Sequence, residues 1–200
     1  MSDLLLATTN PGKQRELARL LGDLPGRIVF PEEIGLHEQV PEPHHRYAEN
    51  AAEKAVAFCR ESGLPTLADD SGLEVAALDW RPGVRTGRYG GEGVTDPVGL
   101  LLERLDGVAD RTARMVCWLA LATPQAADEP RVELFDGVVE GSVATERRGG
   151  GGFGYDPVFL LPSGLTTAEL PEADKDRVSH RGRAVAAALP RLRELLAPAP

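Results

Sequence analysis

The chain begins with an unbroken apolar run, Leu4 to Ala7, followed by a polar turn and then a helical repeat. A short continuous run of this kind predicts a buried strand. From Lys13 to Leu21 the apolar residues Leu17, Leu20 and Leu21 fall on one side of a helix that Gly22 closes, and Asn10 and Pro11 suit its start. "RIVF" predicts a second strand, and the Pro-, Glu- and His-rich "PEEIGLHEQVPEPHHR" a loop over a site or an edge. "YAENAAEKAVAFCRESG" carries alanines with Val56, Phe58 and Cys59 at helical spacing and stops at Gly63.

The pattern then changes to extended segments. "PTLADDSGLEVAAL" is expected to be a strand ending in two acids, with a turn at Ser71 and Gly72 and a further extended piece. "DWRPGVRTGRYGGEGV" is a Gly- and Arg-rich loop, after which Thr95 is expected to cap a helix to about Leu105 with Pro97 in its first turn. "ARMVCWLALAT" and "VELFDGVVEGSVA" are β-type runs that suit a large sheet. "RRGGGGFGYDPVFLLP" feeds four glycines into an aromatic and acidic cluster. A last helix starts near Ser179, with a kink expected at Pro190, and "APAP" forms a frayed tail. The alternation of strands and helices indicates α/β architecture. No internal repeat or separating linker is found, so the 200 residues are expected to form one large α/β domain or two lobes sharing a sheet.

Composition narrows the function. The formal net charge of −9 argues against binding to a nucleic acid polymer or an anionic membrane. No apolar run approaches the roughly 20 residues that span a bilayer, and the first residues lack a signal-peptide pattern, so a cytosolic protein is expected. Cys59 and Cys117 have no metal-ligand spacing and are expected to be reduced core residues. Of the 22 basic residues only Lys13, Lys54 and Lys175 are lysine, which suggests positions that need a compact ammonium group. Asparagine occurs only at Asn10 and Asn50.

Several clusters can carry chemistry. Thr8, Thr9, Asn10, Pro11, Gly12 and Lys13 lead from a strand into a helix, where N–H groups and the helix dipole favour an anion and where Lys13 makes sense beside phosphate. The P-loop pattern is absent. Asp69 and Asp70 are adjacent carboxylates after an apolar strand, suited to bind Mg²⁺ or to activate water, and Glu42 could join them. Asn50 and Lys54, four apart, share a helix face; the alternative for Lys54 is a Glu–Lys surface pair with Asn50 or Glu53 nearby, and the scarcity of lysine weighs against it. Phe153 offers a face for a nucleobase, and Asp156 a carboxylate that could accept hydrogen bonds from it. Lys175, Ser179, His180, Arg181 and Arg183 form a basic cluster around a helix start.

Taken in order, T-x-N-x-x-K, E-N-A-x-x-K-A, L-A-D-D-S-G-L-E-V, P-G-V-x-x-x-R-Y, G-G-F-G-Y-D-P and S-H-R-G-x-A give the chain its strongest signature. The series, from residue 4 to about 190, resembles the inosine triphosphate pyrophosphatase family. The resemblance implies a long, mixed, twisted sheet flanked by helices, two lobes with a substrate cleft between them, a homodimer and a Mg²⁺-dependent hydrolase. It implies that dITP, ITP and XTP are cleaved to the monophosphate and pyrophosphate. By motif position, Thr8 to Lys13 and Lys54 would hold the triphosphate. Asp70 would be the catalytic acid–base and metal residue, Glu42 the second metal ligand, and Ser71 a substrate contact. Phe153, Gly154, Tyr155, Asp156, Lys175, His180 and Arg181 would bind the base and the adjoining phosphate. One departure falls beside Glu42: where the family usually shows a Thr-Gly-x-Thr-Phe-like run, this chain has "PHHRYA". A related enzyme of the same fold acting on dTTP, UTP or modified pyrimidine nucleotides, and a non-catalytic nucleotide sensor, are the alternatives.

Overall fold

A computed structural model describes residues 3–37, 40–126 and 129–197. The elements run β1 (Leu4–Leu6), α1 (Pro11–Leu20), β2 (Ile28–Val29), α2 (Tyr47–Ser62), β3 (Thr66–Val75), β4 (Arg81–Pro82), α3 (Pro97–Arg104), β5 (Thr112–Thr123), β6 (Arg131–Val143), β7 (Phe159–Leu160), α4 (Glu172–Val178) and α5 (His180–Leu196). The seven strands form one mixed sheet in the order β2-β1-β3-β5-β6-β7, with β4 paired to β3. β1 is parallel to β2 and β3, whereas the β3–β4 and β6–β7 pairs are antiparallel.

Most elements fall where hydrophobic period places them, and three readings change. β3 is continuous from Thr66 to Val75, so Asp69, Asp70 and Ser71 are strand residues and no turn occurs at Ser71–Gly72. Leu67, Ala68, Leu73 and Val75 are all buried, and this apolar continuation keeps the acids inside the sheet. α3 is capped by Asp96, whose carboxylate accepts from the Gly99 N–H, rather than by Thr95. α4 is a separate helix ahead of α5, and α5 runs through Pro190 to Leu196. The last three residues of the "APAP" tail lie outside the described residues.

The chain divides into two compact units: residues up to Asp70, Cys117–Gly137 and from Arg183 onward form the first, and Ser71–Val116 with Val138–Gly182 the second. Strand alternation organises the first unit. Leu4 and Leu6 face a cluster with Leu17 of α1, its C-cap Leu21, and Ala184, Val185, Ala188 and Leu192 of α5. Leu5 and Ala7 point the other way, toward Ala51, Ala55, Phe58 and Cys59 of α2. Helices thus cover both faces of the sheet here, which explains why β1 reads as a continuous apolar run. On the α2 face the strands contribute Ala68, Ala120 and Ala122, and these small residues let the helix approach closely. The second unit has its own core, in which Val98 and Leu101 of α3 and its C-cap Leu105 join Leu73, Val75, Met115, Val139 and Phe159. Cys59 and Cys117 are free and buried.

Candidate active site

The first unit gathers one charged group from four places: the start of α1, the loop carrying Glu42, α2 and β3. The helix start contributes Lys13, whose Nζ lies 3.0 Å from the buried Asp69 carboxylate of β3. The close-packed α2 contributes Lys54 and Asn50, one turn apart. Lys54 Nζ donates to Glu42 Oε1 at 2.6 Å and to the Asp69 backbone oxygen at 3.1 Å, and Asn50 Nδ2 donates to Asp70 Oδ2 at 2.9 Å. The pairing of Lys54 with Glu53 or Asn50 considered for the sequence does not form; the lysine turns inward to Glu42 instead.

The helix start also departs from expectation. Asn10 Oδ1 accepts from the Gly12 and Lys13 N–H groups, and Asn10 N donates to Thr8 Oγ1. An asparagine at the N-cap satisfies the donors that the sequence reading offered to an anion, and Pro11 has none. The Lys13 ammonium and the helix dipole remain available to an anion here. Thr8 is buried, while Thr9, Asn10 and Pro11 are exposed.

Burial dominates the titration of Asp70 and raises its carboxyl above the ordinary 3.8; the Asn50 amide and Lys13 pull it down, Glu42 pushes it up, and Lys54 pulls it down. Burial likewise pulls Lys54 down, but Asp69, Glu42 and Asp70 outweigh it, and the ammonium is held above its usual value. Among the described residues no three His, Cys, Asp or Glu side chains stand ready to hold a metal by themselves. Asp69, Asp70 and Glu42 nonetheless all act on Lys54. These hard oxygen donors, with carboxylates exceeding ammonium groups, fit Mg²⁺, which takes one or two protein carboxylates and completes its shell with water and substrate phosphate.

The second unit gathers a different group. Asp156 Oδ2 accepts from Lys175 Nζ at 2.5 Å and from the Phe153 N–H at 2.7 Å, and Oδ1 accepts from Thr167 Oγ1 at 2.8 Å. Asp156 is thus engaged by its own chain, where it supports Phe153 and Lys175. Lys175 Nζ and Arg181 Cζ lie 5.4 and 5.5 Å from the Phe153 ring centroid, within cation–π range. Arg181 donates to Ser71 Oγ at 3.0 Å, and His180 is buried beside it in sequence. Tyr155 belongs to the core, its hydroxyl donates to the Thr86 carbonyl, and burial pushes its titration up.

Gly152 and Gly154 turn this loop with φ of +68° and +59°. A Cβ at Gly152 would fall on Asp156 Oδ2 and Lys175 Nζ, so the glycine is what leaves room for the pair. Two residues here carried no assigned role in the sequence reading. Asn50 had a usable signal, since the only two asparagines of the chain both sit in the first group. Thr167 had none: no motif marks it, and it meets Asp156 only through the fold.

The mixed α/β sheet carries a lysine–carboxylate group at a strand–helix junction, which places the chain among α/β proteins with a charged site at the carboxyl end of a strand. The model of the Ham1 family matches residues 4–191, and the chain belongs to that family. It is 46% identical over 195 residues to the dITP/XTP pyrophosphatase of Chromobacterium violaceum, covering 96% of this chain and 98% of the relative. The enzyme of the same name from Methylococcus capsulatus is 45% identical, with 96% of each chain covered. Among solved structures, a HAM1 protein from Coxiella burnetii superposes with a TM-score of 0.86 at 39% identity, covering 97% of this chain and all of the other. No helix among the described residues is long and apolar enough to cross a membrane.

Proposed function

We propose that the protein is a dITP/XTP pyrophosphatase: it hydrolyses dITP, ITP and XTP to the monophosphate and pyrophosphate and so clears non-standard purines from the nucleotide pool. The observation that carries this reading is the group of the first unit, where Lys13 meets the Asp69 carboxylate at 3.0 Å, Lys54 meets the Glu42 carboxylate at 2.6 Å, and the Asp70 carboxylate acts on Lys54 through its charge. The named relatives support the substrate class.

In this reading Lys13 and Lys54 turn part of their three-donor capacity to the phosphates, neutralising charge that grows as the bond between the α- and β-phosphates breaks. Asp70 holds the attacking water and takes its proton, and the raised affinity of its carboxyl for a proton suits a base. Asp70 and Glu42 would hold Mg²⁺, which when bound supplies Lewis-acid polarisation of phosphate oxygens. Phe153 stacks on the base, while Arg181, His180 and Lys175 supply donors for the 6-carbonyl of hypoxanthine or xanthine. Adenine presents an amino group at that position, and the donor–donor mismatch is expected to disfavour ATP by roughly 10⁴-fold. A homodimer working in the cytosol completes the proposal.

The test is kcat/KM for dITP, XTP, dGTP and ATP with Mg²⁺ and pyrophosphate as the detected product. Strong preference for dITP and XTP with pyrophosphate release is expected. Equal efficiency on ATP, or orthophosphate in place of pyrophosphate, overturns the reading.

A further inference from the structure

We infer that Asn50 is a positioning residue of the reaction, one buried side-chain amide that both sets the Asp70 carboxylate and fixes the backbone of the segment carrying Glu42. The inference rests on the reading of Asp70 as the acid–base residue. Asn50 is 1% exposed, and each half of its amide is engaged. Nδ2 donates to Asp70 Oδ2 at 2.9 Å and to the His44 carbonyl at 3.3 Å, while Oδ1 accepts from the His44 N–H at 3.0 Å. His44 is two residues from Glu42, so one side chain links the catalytic strand to the loop that presents the other carboxylate.

The chemistry of this link requires an amide. Aspartate keeps the acceptor for the His44 N–H but offers Asp70 no donor when ionised, and an aliphatic residue leaves all three partners unmatched. Fixing one oxygen of Asp70 fixes the plane in which the carboxylate presents its lone pairs, which is what a base aimed at one water needs. The reach depends on the packing beneath: Ala51 and Ala55 meet Ala68, Ala120 and Ala122, and larger residues there would lift α2 away from β3. The loop has a second tie to the same helix, His44 Nε2 to Glu53 Oε2 at 2.6 Å. This tie involves the "PHHRYA" segment, and the Asn50 side chain joins that segment to Asp70.

The experiment compares Asn50→Asp, Asn50→Ala, Asp70→Asn and the double variant Asn50→Ala/Asp70→Asn with wild type. It measures kcat and KM for dITP, equilibrium binding of a non-hydrolysable inosine triphosphate analogue, and melting temperature. Both Asn50 variants are expected to lose about 100-fold in kcat, the order of loss that misplacement of a catalytic group produces, with KM and analogue affinity within threefold. In the double variant the Asn50 change should add less than threefold to the loss from Asp70→Asn, because Asn50 acts through Asp70. A kcat within threefold of wild type, a loss confined to KM, or a loss that adds fully to that of Asp70→Asn overturns the inference. Should Asn50→Asp fail to fold, Asn50→Ala carries the same comparison. Activity of Asp70→Asn within tenfold of wild type would instead remove the underlying assignment of Asp70, which separates the two failures.

Discussion

Lys54–Glu42 and Lys175–Asp156 are both short lysine–carboxylate pairs, at 2.6 and 2.5 Å, and they do different work. In the first, the side chains are 13% and 29% exposed, and Lys54 is pulled on by Asp69 and Asp70 as well as Glu42. In the second, they are 5% and 4% exposed, and every contact of Asp156 described above is to its own unit. A partly open pair with several competing counter-charges can exchange a partner for phosphate or metal at small cost. A closed pair cannot, since removing one member leaves a charge buried alone. In the proposed reading the difference separates the group that reacts from a pair that holds Phe153 in place and leaves Lys175 its remaining donors for the base.

The largest effect that tests this contrast belongs to Asp70→Asn. Turnover is expected to fall by roughly 10³-fold, within the range that a general base contributes, with the fold intact. Its stability should behave unusually. Because burial raises the Asp70 carboxyl above 3.8, the stability linked to this group is complete below that value and is lost as pH rises through the raised value. Asparagine at 70 has no charge to bury. In chelator-treated protein, the melting temperature of Asp70→Asn relative to wild type should therefore climb with pH, and a difference that shrinks as pH rises would contradict the linkage.

Next in size is the pair of charge removals Asp156→Asn and Glu42→Gln. Asp156→Asn leaves Lys175 buried without its counter-charge and should cost about 3 kcal/mol in urea unfolding. Glu42→Gln, at a more open pair, should cost less than about 1 kcal/mol yet lower kcat. Equal unfolding penalties for the two would erase the distinction between reactive group and scaffold.

Smaller again is Lys13→Arg. The guanidinium keeps the charge but needs a broader, planar site than the ammonium that meets Asp69 at 3.0 Å, and kcat/KM should drop by about tenfold. The reverse exchange, Arg193→Lys on the exposed side of α5, should leave kinetics unchanged. Similar behaviour of the two in steady-state assays would show that the scarcity of lysine carries no functional meaning.

The hydrophobic pattern marked β1, α2 and the long strands because their burial follows a simple period, and six ordered motifs placed the candidate residues on the chain. The misreadings share a physical origin. Asp69-Asp70-Ser71-Gly72 has the composition of a turn, and only its place in the sheet, continued by Leu73 and Val75, makes it strand. Asn10 was recognisable as a helix start, but that its side chain would occupy the very N–H groups expected to meet an anion depended on its local geometry.

What the sequence determined by itself was the inventory: a sparse set of lysines, asparagines and paired acids at spacings that suit phosphate chemistry, on an α/β chain of acidic charge. Which of those groups touch was decided by tertiary structure. Asn50 reaches Asp70 because alanines on two strands and one helix remove the bulk between them, and Asp156 turns to Lys175 and Thr167 because Gly152 leaves the space. Side-chain type is local information, whereas partnership depends on distances between segments that only the packed core sets.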